Sequence, residues 1–556
     1  MMRPRPVPAQ QHPQTVWARQ ALAHACLLAC TAGPALLAAT AAQAQVNGAN
    51  MDTGQVQTAA QAQTQAAAAA LAQTPGGLRI TPVFDATVNV VNTSLDQTQG
   101  QTLNRNGDVV TDLRPGVQLT GRLGRSRMSL YYALDIRRHS RPLPGQAQAD
   151  ELKNALNASL SSQLIERWLS VDASAAVSQQ TISAYGQQSL DGSTFNTNRS
   201  EVAQLSVRPY SRGSIADFAT YDLTFSADAI HVKRAATPGS QGTGISLALS
   251  SANTGSLLGW GAQLTQQHSN FSGGQATDST RATASLKIKP DVDVQAAVRV
   301  GQEATKISGV YDATYTNYGG EIRWTPSSRT SASISADQRY FGRAYQAALD
   351  HRMQRTSLRF SSSRDVSSSA GSTGVGQPVT LYQLFYSQFA SLQPDPVLRE
   401  QMVRDFLASI GQDPNAVVSG GFVNAGVTLQ RRDDVAFSYA AQRATFALQA
   451  YRSSVSRLDT PGAVTVGSAP VHQYGLSSSA IYRLTPERTG TLSYSRLATQ
   501  STPTLGGNRL NSLTLNLSER LGHLTTVGIT ARYSVFDGPI NPYHETSLGG
   551  TLSLRF

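Results

Sequence analysis

The sequence predicts an all-β fold: a large transmembrane antiparallel β-barrel of about 20 strands, with 18 to 22 compatible, and one small helical insertion. Three observations predict it. Apolar and polar residues alternate with a period of two along nearly the whole chain after residue 77. The alternating segments are about 9–14 residues long, against about 5–6 for an ordinary strand and about 9–11 for a tilted strand crossing a bilayer. Only 40% of the 556 residues are hydrophobic and 15% are charged, whereas an ordinary soluble domain is about 45–50% apolar. A strand between lipid and a watery lumen needs only one apolar face, so this scarcity has a cause. No apolar run beyond the N-terminus approaches the roughly 20 residues of a spanning helix, which excludes a helical membrane protein. A soluble β-solenoid or a set of sandwich domains is the competing reading, but the chain has no fixed-period repeat to support a solenoid and its segments are long.

The N-terminus reads as a targeting segment. Arg3, Arg5 and Arg19 precede an apolar stretch from Ala21 to Ala39, and a small-x-small site follows at Ala42-Gln43-Ala44. Residues 1–44 are therefore expected to be a secretory signal peptide. Leu27-Leu28-Ala29-Cys30 loosely resembles a lipidation site, although most of the apolar run lies after Cys30. Both cysteines, Cys26 and Cys30, fall in the segment expected to be removed, which leaves no disulfide or thiol chemistry. Residues 45–77, rich in Gln, Ala and Thr, are expected to form a flexible leader. Residues 78–556 are expected to form the barrel.

The alternation assigns faces. Met128, Leu130, Tyr132, Leu134 and Ile136 share one face of their segment, with Asp135 and Arg137 on the other. Ala282 to Ile288, Val294 to Val300 and Leu513 to Leu517 repeat the pattern and put Arg281 and Arg299 on the polar side. The candidate segments number twenty-one, and a single-chain bacterial barrel normally closes with an even number, so one is misread. They include 314–325, 330–340 and 350–362, then a break, then 424–440. At the end of the chain Leu552, Leu554 and Phe556 share the apolar face and Arg555 the polar one. A terminal amphipathic strand ending in Phe resembles the signal read by the bacterial barrel-assembly machinery, which is thereby an expected partner alongside outer-membrane lipid and lipopolysaccharide.

Residues 366–422 do not alternate. Tyr382, Leu384, Phe385, Phe389 and Ala390 have helical spacing, as do Val397, Leu398, Met402, Val403, Phe406 and Leu407, with Pro394-Asp395-Pro396 between them. A helical hairpin is expected here. It either constricts the lumen, docks a partner at the periplasmic mouth, or decorates the rim.

Catalytic signals are absent. The chain has no HExxH, GxSxG, Walker-type loop or Cys/His cluster, and its nine histidines are scattered. His544, Glu545 and Ser547 are the weakest sort of enzymatic candidate. No enzyme, no cofactor and no metal are expected. The net charge of +11 comes from 46 basic against 35 acidic residues, and among the basic residues only Lys153, Lys233, Lys287, Lys289 and Lys306 are lysines. Lumen arginines concentrate anions and suit carboxylates; alternatively they pair with Asp135, Asp222 or Asp293 and stiffen the wall. An exported β-rich chain without a basic cluster is not expected to bind nucleic acid.

Trp324-Thr325-Pro326, Arg329-Thr330, Arg339-Tyr340-Phe341-Gly342, His351-Arg352, Arg355-Thr356 and Ser363-Arg364-Asp365 form the most specific block of a wider pattern. Leu78-Arg79-Ile80-Thr81-Pro82, the insert, Gln430-Arg431-Arg432 and Tyr451-Arg452-Ser453 belong to it too. Over residues 78–556 the chain resembles the outer-membrane β-barrel family associated with PEP-CTERM and exopolysaccharide systems of Gram-negative bacteria. The long Gln/Ala leader and the Ser/Thr-rich loops depart from it. The resemblance implies a location in the outer membrane and a part in polysaccharide export, with anionic polysaccharide and periplasmic export components as partners. Candidate lumen or rim contacts to a glycan are Arg137, Arg281, Arg299, Arg339, His351, Arg352 and Arg355. The block is also readable as a packed hairpin, with Tyr340 and Phe341 as girdle aromatics and His351, Arg352 and Arg355 opening the next strand.

Overall fold

Strict alternation over a dozen residues forms strands that bury no second layer, and such strands must find partners on both edges. The computed structural model describes residues 77–95, 104–141, 151–189, 196–233, 239–252, 257–272, 276–367, 379–380, 382, 385–386, 389, 403, 417–419, 422, 426–458, 470–522 and 524–556. The expected signal and leader therefore lie outside the described residues, apart from the last leader residue, Gly77, which opens the first strand.

The strands are β1 Gly77–Leu95, β2 Asn104–Leu123, β3 Ser126–His139, β4 Glu151–Ile165, β5 Leu169–Thr181, β6 Arg199–Ile215, β7 Ala219–Val232 and β8 Ser240–Ser251. There follow β9 Leu258–Phe271, β10 Ala276–Asp291, β11 Val294–Ile307, β12 Tyr311–Ser327, β13 Thr330–Arg339, β14 Gly342–Arg352 and β15 Thr356–Ser367. The short pair β16 Val379–Thr380 and β17 Val417–Ser419 belongs to the insert. The wall then resumes with β18 Thr428–Ala440, β19 Ala444–Arg457, β20 Val471–Arg483, β21 Arg488–Thr499, β22 Asn508–Arg520, β23 Thr525–Asp537 and β24 Tyr543–Arg555.

Each wall strand pairs antiparallel with the next, β15 pairs β18 across the insert, and β24 pairs β1 from Val83↔Arg555 to Leu95↔Tyr543. The result is a closed 22-stranded sheet. Strand lengths run from 10 residues in β13 to 20 in β2, so some exceed the expected range.

The strand missing from the sequence reading is β14. The expected segment 350–362 straddles the turn at 353–355 and merges the end of β14 with the start of β15. The preceding reversal is very tight, because Arg339 pairs directly with Gly342 around Tyr340-Phe341. Gly342 has a φ of 99°, a conformation that only glycine adopts without strain. His351 and Arg352 accordingly end β14 and Arg355 lies in the turn; none of them opens a strand.

The faces follow the predicted parity. Val298, Val300, Leu513, Leu515, Leu517 and Leu548 are exposed on the outside, while Arg299, Glu303, Ser512, Asn516 and Glu545 are buried on the inside. Leu552, Leu554 and Phe556 share the outer face with Leu548. One end of the barrel carries both described termini and short turns such as Gly124-Arg125, 166–168, 328–329 and 441–443. The other end carries the long connections, including 182–198 and the insert. Short turns in such barrels face the periplasm and long loops face outward.

The lipid face gives a depth-dependent expectation. Val298→Arg, in mid-strand, should lower unfolding stability in vesicles by about 2–4 kcal/mol, whereas Val292→Arg, in a turn, should change it by about 0–1 kcal/mol. Denaturant titration of the refolded barrel measures both; equal effects would place residue 298 off the lipid face.

Candidate functional site: the lumen and what enters it

The inner wall has two chemically distinct sectors. On β2–β3, β6–β7, β10–β15 and β18 it is charged. Arg137 donates to Asp112 at 2.7 Å and lies 3.8 Å from Asp135, which also accepts from Arg114 at 3.2 Å. Arg299 donates to Glu321 at 3.0 Å and to Asp337 at 3.1 Å. Arg281 approaches the same Asp337 at 3.7 Å. Arg339 grips both oxygens of Glu303 and donates to Asp365 at 2.6 Å. Forked, charge-assisted contacts of this kind are strong and directional. Glu303 is 0% exposed, so its charge depends on Arg339.

On β19–β24 the wall is neutral and polar. Ser453, Gln473, Ser477, Thr491, Asn516 and Ser534 are buried there. They bond across strands: Gln473 donates to Thr499 at 3.2 Å, Asn516 to Thr530 at 2.8 Å, and Ser512 meets Ser534 at 2.9 Å. Among the described residues an ion pair interrupts this sector, from Arg532 to the buried Glu545 at 2.6 Å.

The outer end of the lumen is apolar and bridged. Tyr451, Val455, Leu497, Leu510, Phe536 and Tyr543 form one cluster on the inner wall. Phe271, Ile307, Phe341, Val427 and Leu458 form a second across the tips of other strands. Phe341 is thus buried in this cluster, with Tyr340 packed against it, and the two are not membrane-girdle aromatics. The connection after β5 crosses toward the far wall. Thr499 donates to the Ala184 carbonyl at 3.0 Å, Asn508 to the same carbonyl at 2.9 Å, and Tyr543 to the Gln188 carbonyl at 2.9 Å. Phe422, at the end of the insert, packs on the first cluster and forms a bridge with Thr181 of β5.

The insert itself goes inward. Tyr382, Phe385, Phe389 and Val403 pack together on Ile481, and the Phe389 amide donates to the Phe385 carbonyl in helical register at 2.8 Å. Ile481 shares the lumen face of β20 with Ser477 and Ser479. It lies two residues before the periplasmic end of that strand. The described part of the insert therefore reaches from the outer end down to the periplasmic half of the lumen, against the neutral wall. Phe406 lies outside the described residues.

The seven candidate glycan contacts do not converge. Arg137, Arg281, Arg299 and Arg339 face the lumen engaged by carboxylates, with Arg281 and Arg299 sharing Asp337. His351 is on the outer face at the periplasmic rim, where its Nδ1 meets the Thr330 hydroxyl at 2.9 Å. Arg352 donates to the Ser328 carbonyl at 3.1 Å, and Arg355 is exposed in its turn. Asp135 and Asp222 serve as arginine partners as expected; Asp293 lies in a turn. His544 and Glu545 fall on opposite faces of β24, which removes that enzymatic candidate. Among the described residues no group of three or more acidic, His or Cys side chains is arranged to hold a metal. Sequence reading missed Glu303, Asp337, Asp112 and Ile481. Their inward parity was legible, but their partners sit on other strands.

No family description matches the chain, and no curated protein does either. The chain is similar, at low identity, to several solved structures. The FrpB iron transporter from Neisseria meningitidis (F5-1 variant) is 10% identical, with a TM-score of 0.46 over 88% of this chain and 83% of that one. The siderophore receptor PirA from Pseudomonas aeruginosa is 9% identical, with a TM-score of 0.36 over 87% and 81%. OccK5 (OpdH) from Pseudomonas aeruginosa is 11% identical, with a TM-score of 0.30 over 86% and 98%. The chain is a transmembrane antiparallel β-barrel of 22 strands, closed between β24 and β1, with its apolar residues facing outward.

The buried pairs make a prediction. Arg339→Met strands the Glu303 carboxylate and should cost about 3–5 kcal/mol of unfolding stability, while Arg339→Met with Glu303→Leu should recover most of it. Denaturation midpoints of the two variants in vesicles decide this; additive losses would mean the pair is not coupled.

Proposed function

We propose that this barrel is a passive outer-membrane conduit for extracellular polysaccharide, narrowed by the 366–422 insert. The observation that supports it most is the neutral hydroxyl and amide wall of β19–β24. Such a wall exchanges weak hydrogen bonds with a sugar chain without holding it, which a conduit requires. The arginine-rich inner wall and the resemblance of the 321–365 block to exopolysaccharide-associated barrels support the same reading. The driving force on this reading is synthesis behind the polymer.

The packing of Tyr382, Phe385, Phe389 and Val403 on Ile481 supports a second reading, a non-conducting barrel that docks periplasmic export components. Planar-bilayer recording separates the two. The full chain should conduct weakly or in brief openings. A variant with residues 368–426 replaced by a short linker should conduct steadily and far more. A barrel closed in both forms rules out the conduit. In cells, deleting the protein should remove surface polysaccharide while internal synthesis continues; unchanged surface glycan would overturn the reading.

A further inference from the structure

The mid-lumen arginines are engaged by carboxylates, yet the chain carries a net charge of +11. Part of the excess lies at the periplasmic opening. The last lumen-facing positions before the turns there include Arg122, Lys287, Arg352, Arg483, Arg520 and Arg555. They come from strands spread around the wall. Of the lumen-facing carboxylates toward this end, Glu321 is engaged by Arg299 and Arg323, Asp350 by Arg359 and Asp222 by Arg212, while Asp85, near Arg555, accepts from the Ser553 hydroxyl at 2.5 Å. Among the described residues Arg483, Arg520 and Arg555 take part in no ion pair.

Like charges are also placed side by side. Arg122 stands directly opposite Arg127. The Arg352 amide donates to the Arg329 carbonyl at 2.9 Å and the Arg483 amide to the Arg443 carbonyl at 2.8 Å, so each bond joins two arginines. Directly opposed like charges destabilise a ladder. An anion between them removes that cost.

We propose that the periplasmic opening is a cationic collar that binds a polyanionic carbohydrate, one bearing carboxylates along its chain, and admits it to the lumen. This deepens the conduit reading and rests on it for the direction of passage. A ring of Arg and Lys favours anions over cations, and Arg suits carboxylates. The collar meets the insert directly. Arg483 is two residues beyond Ile481 on the same face, about 7 Å at strand rise. A chain gathered at the collar thus arrives at the helical part of the insert. Among the described residues the inner wall at the outer end is instead apolar and bridged. Anionic lipid headgroups are the other source of negative charge. They meet the outside of these hairpins, where Trp324, Met353 and Tyr482 are exposed, and not the lumen-facing positions.

The test has two arms. Binding of labelled alginate oligosaccharide to the detergent-solubilised full chain should exceed that of neutral dextran by about tenfold or more. It should fall between about 0.1 M and about 1 M salt, as the screening length drops from about 10 Å to about 3 Å. The triple variant Arg352→Gln, Arg483→Gln, Arg520→Gln should lose it, and Arg483→Gln alone should weaken it. In the bilayer, the insert-deleted barrel should be anion-selective by reversal potential, and the triple change should abolish the selectivity.

Equal binding of alginate and dextran overturns the collar. So does conductance without anion preference, which leaves the conduit standing. Alginate binding with no conductance in either form overturns the conduit and leaves the collar. If the triple variant loses co-purifying anionic phospholipid but keeps alginate, the arginines serve lipid and the proposal fails.

Discussion

The whole structure depends on one constraint: inside a bilayer, a backbone N–H or C=O has no water to bond. A spanning sheet can meet this only by closing, because an open edge would leave a row of unpaired groups in hydrocarbon. The pairing of β24 with β1 closes the ladder. Closure explains the low apolar content, since lipid covers the outer face and the inner face needs polar groups. It also explains why no disulfide is needed to hold together a sheet of 22 strands.

Closing a wide barrel creates a second problem, which is what fills it. Here three kinds of filling are layered along the axis. Apolar clusters and a crossing loop occupy the outer end, cross-strand pairs and hydroxyls line the middle, and the insert reaches Ile481 near the periplasmic end. The paired charges give the wall rigidity but little net field. A fixed charge acts on a passing solute only where it is not already neutralised, so the electrostatic character of the lumen is set at its rim and not at its most buried arginines.

The insert fits this logic. Its aromatic residues are too apolar for solvent and have no lipid to meet at the loop end. The lumen offers a neutral wall on one side, and the charged sector opposite would penalise the same packing through desolvation. The side of the barrel on which the insert lies thus follows from wall chemistry set by β19–β24.

The sequence by itself determined the fold class, the faces of the strands and where along the chain the insert interrupts them, because alternation is a local property that a period-two pattern records directly. It also indicated that one of twenty-one candidate segments was misread, through the even-number rule. It did not reveal which one, since the segment 350–362 runs through the short turn at 353–355 and so conceals the strand before it. Inward parity of Arg137, Arg281, Arg299 and Arg339 was legible; their neutralisation by Asp112, Asp337, Glu321, Glu303 and Asp365 was not. Those contacts join residues up to 38 positions apart, and their existence depends on register between strands. For the same reason only the tertiary structure decided that the insert turns inward and that Arg483, Arg520 and Arg555, from separate strands, stand at one opening. A strand's faces are fixed by its own sequence, whereas what stands opposite each face is fixed by closure.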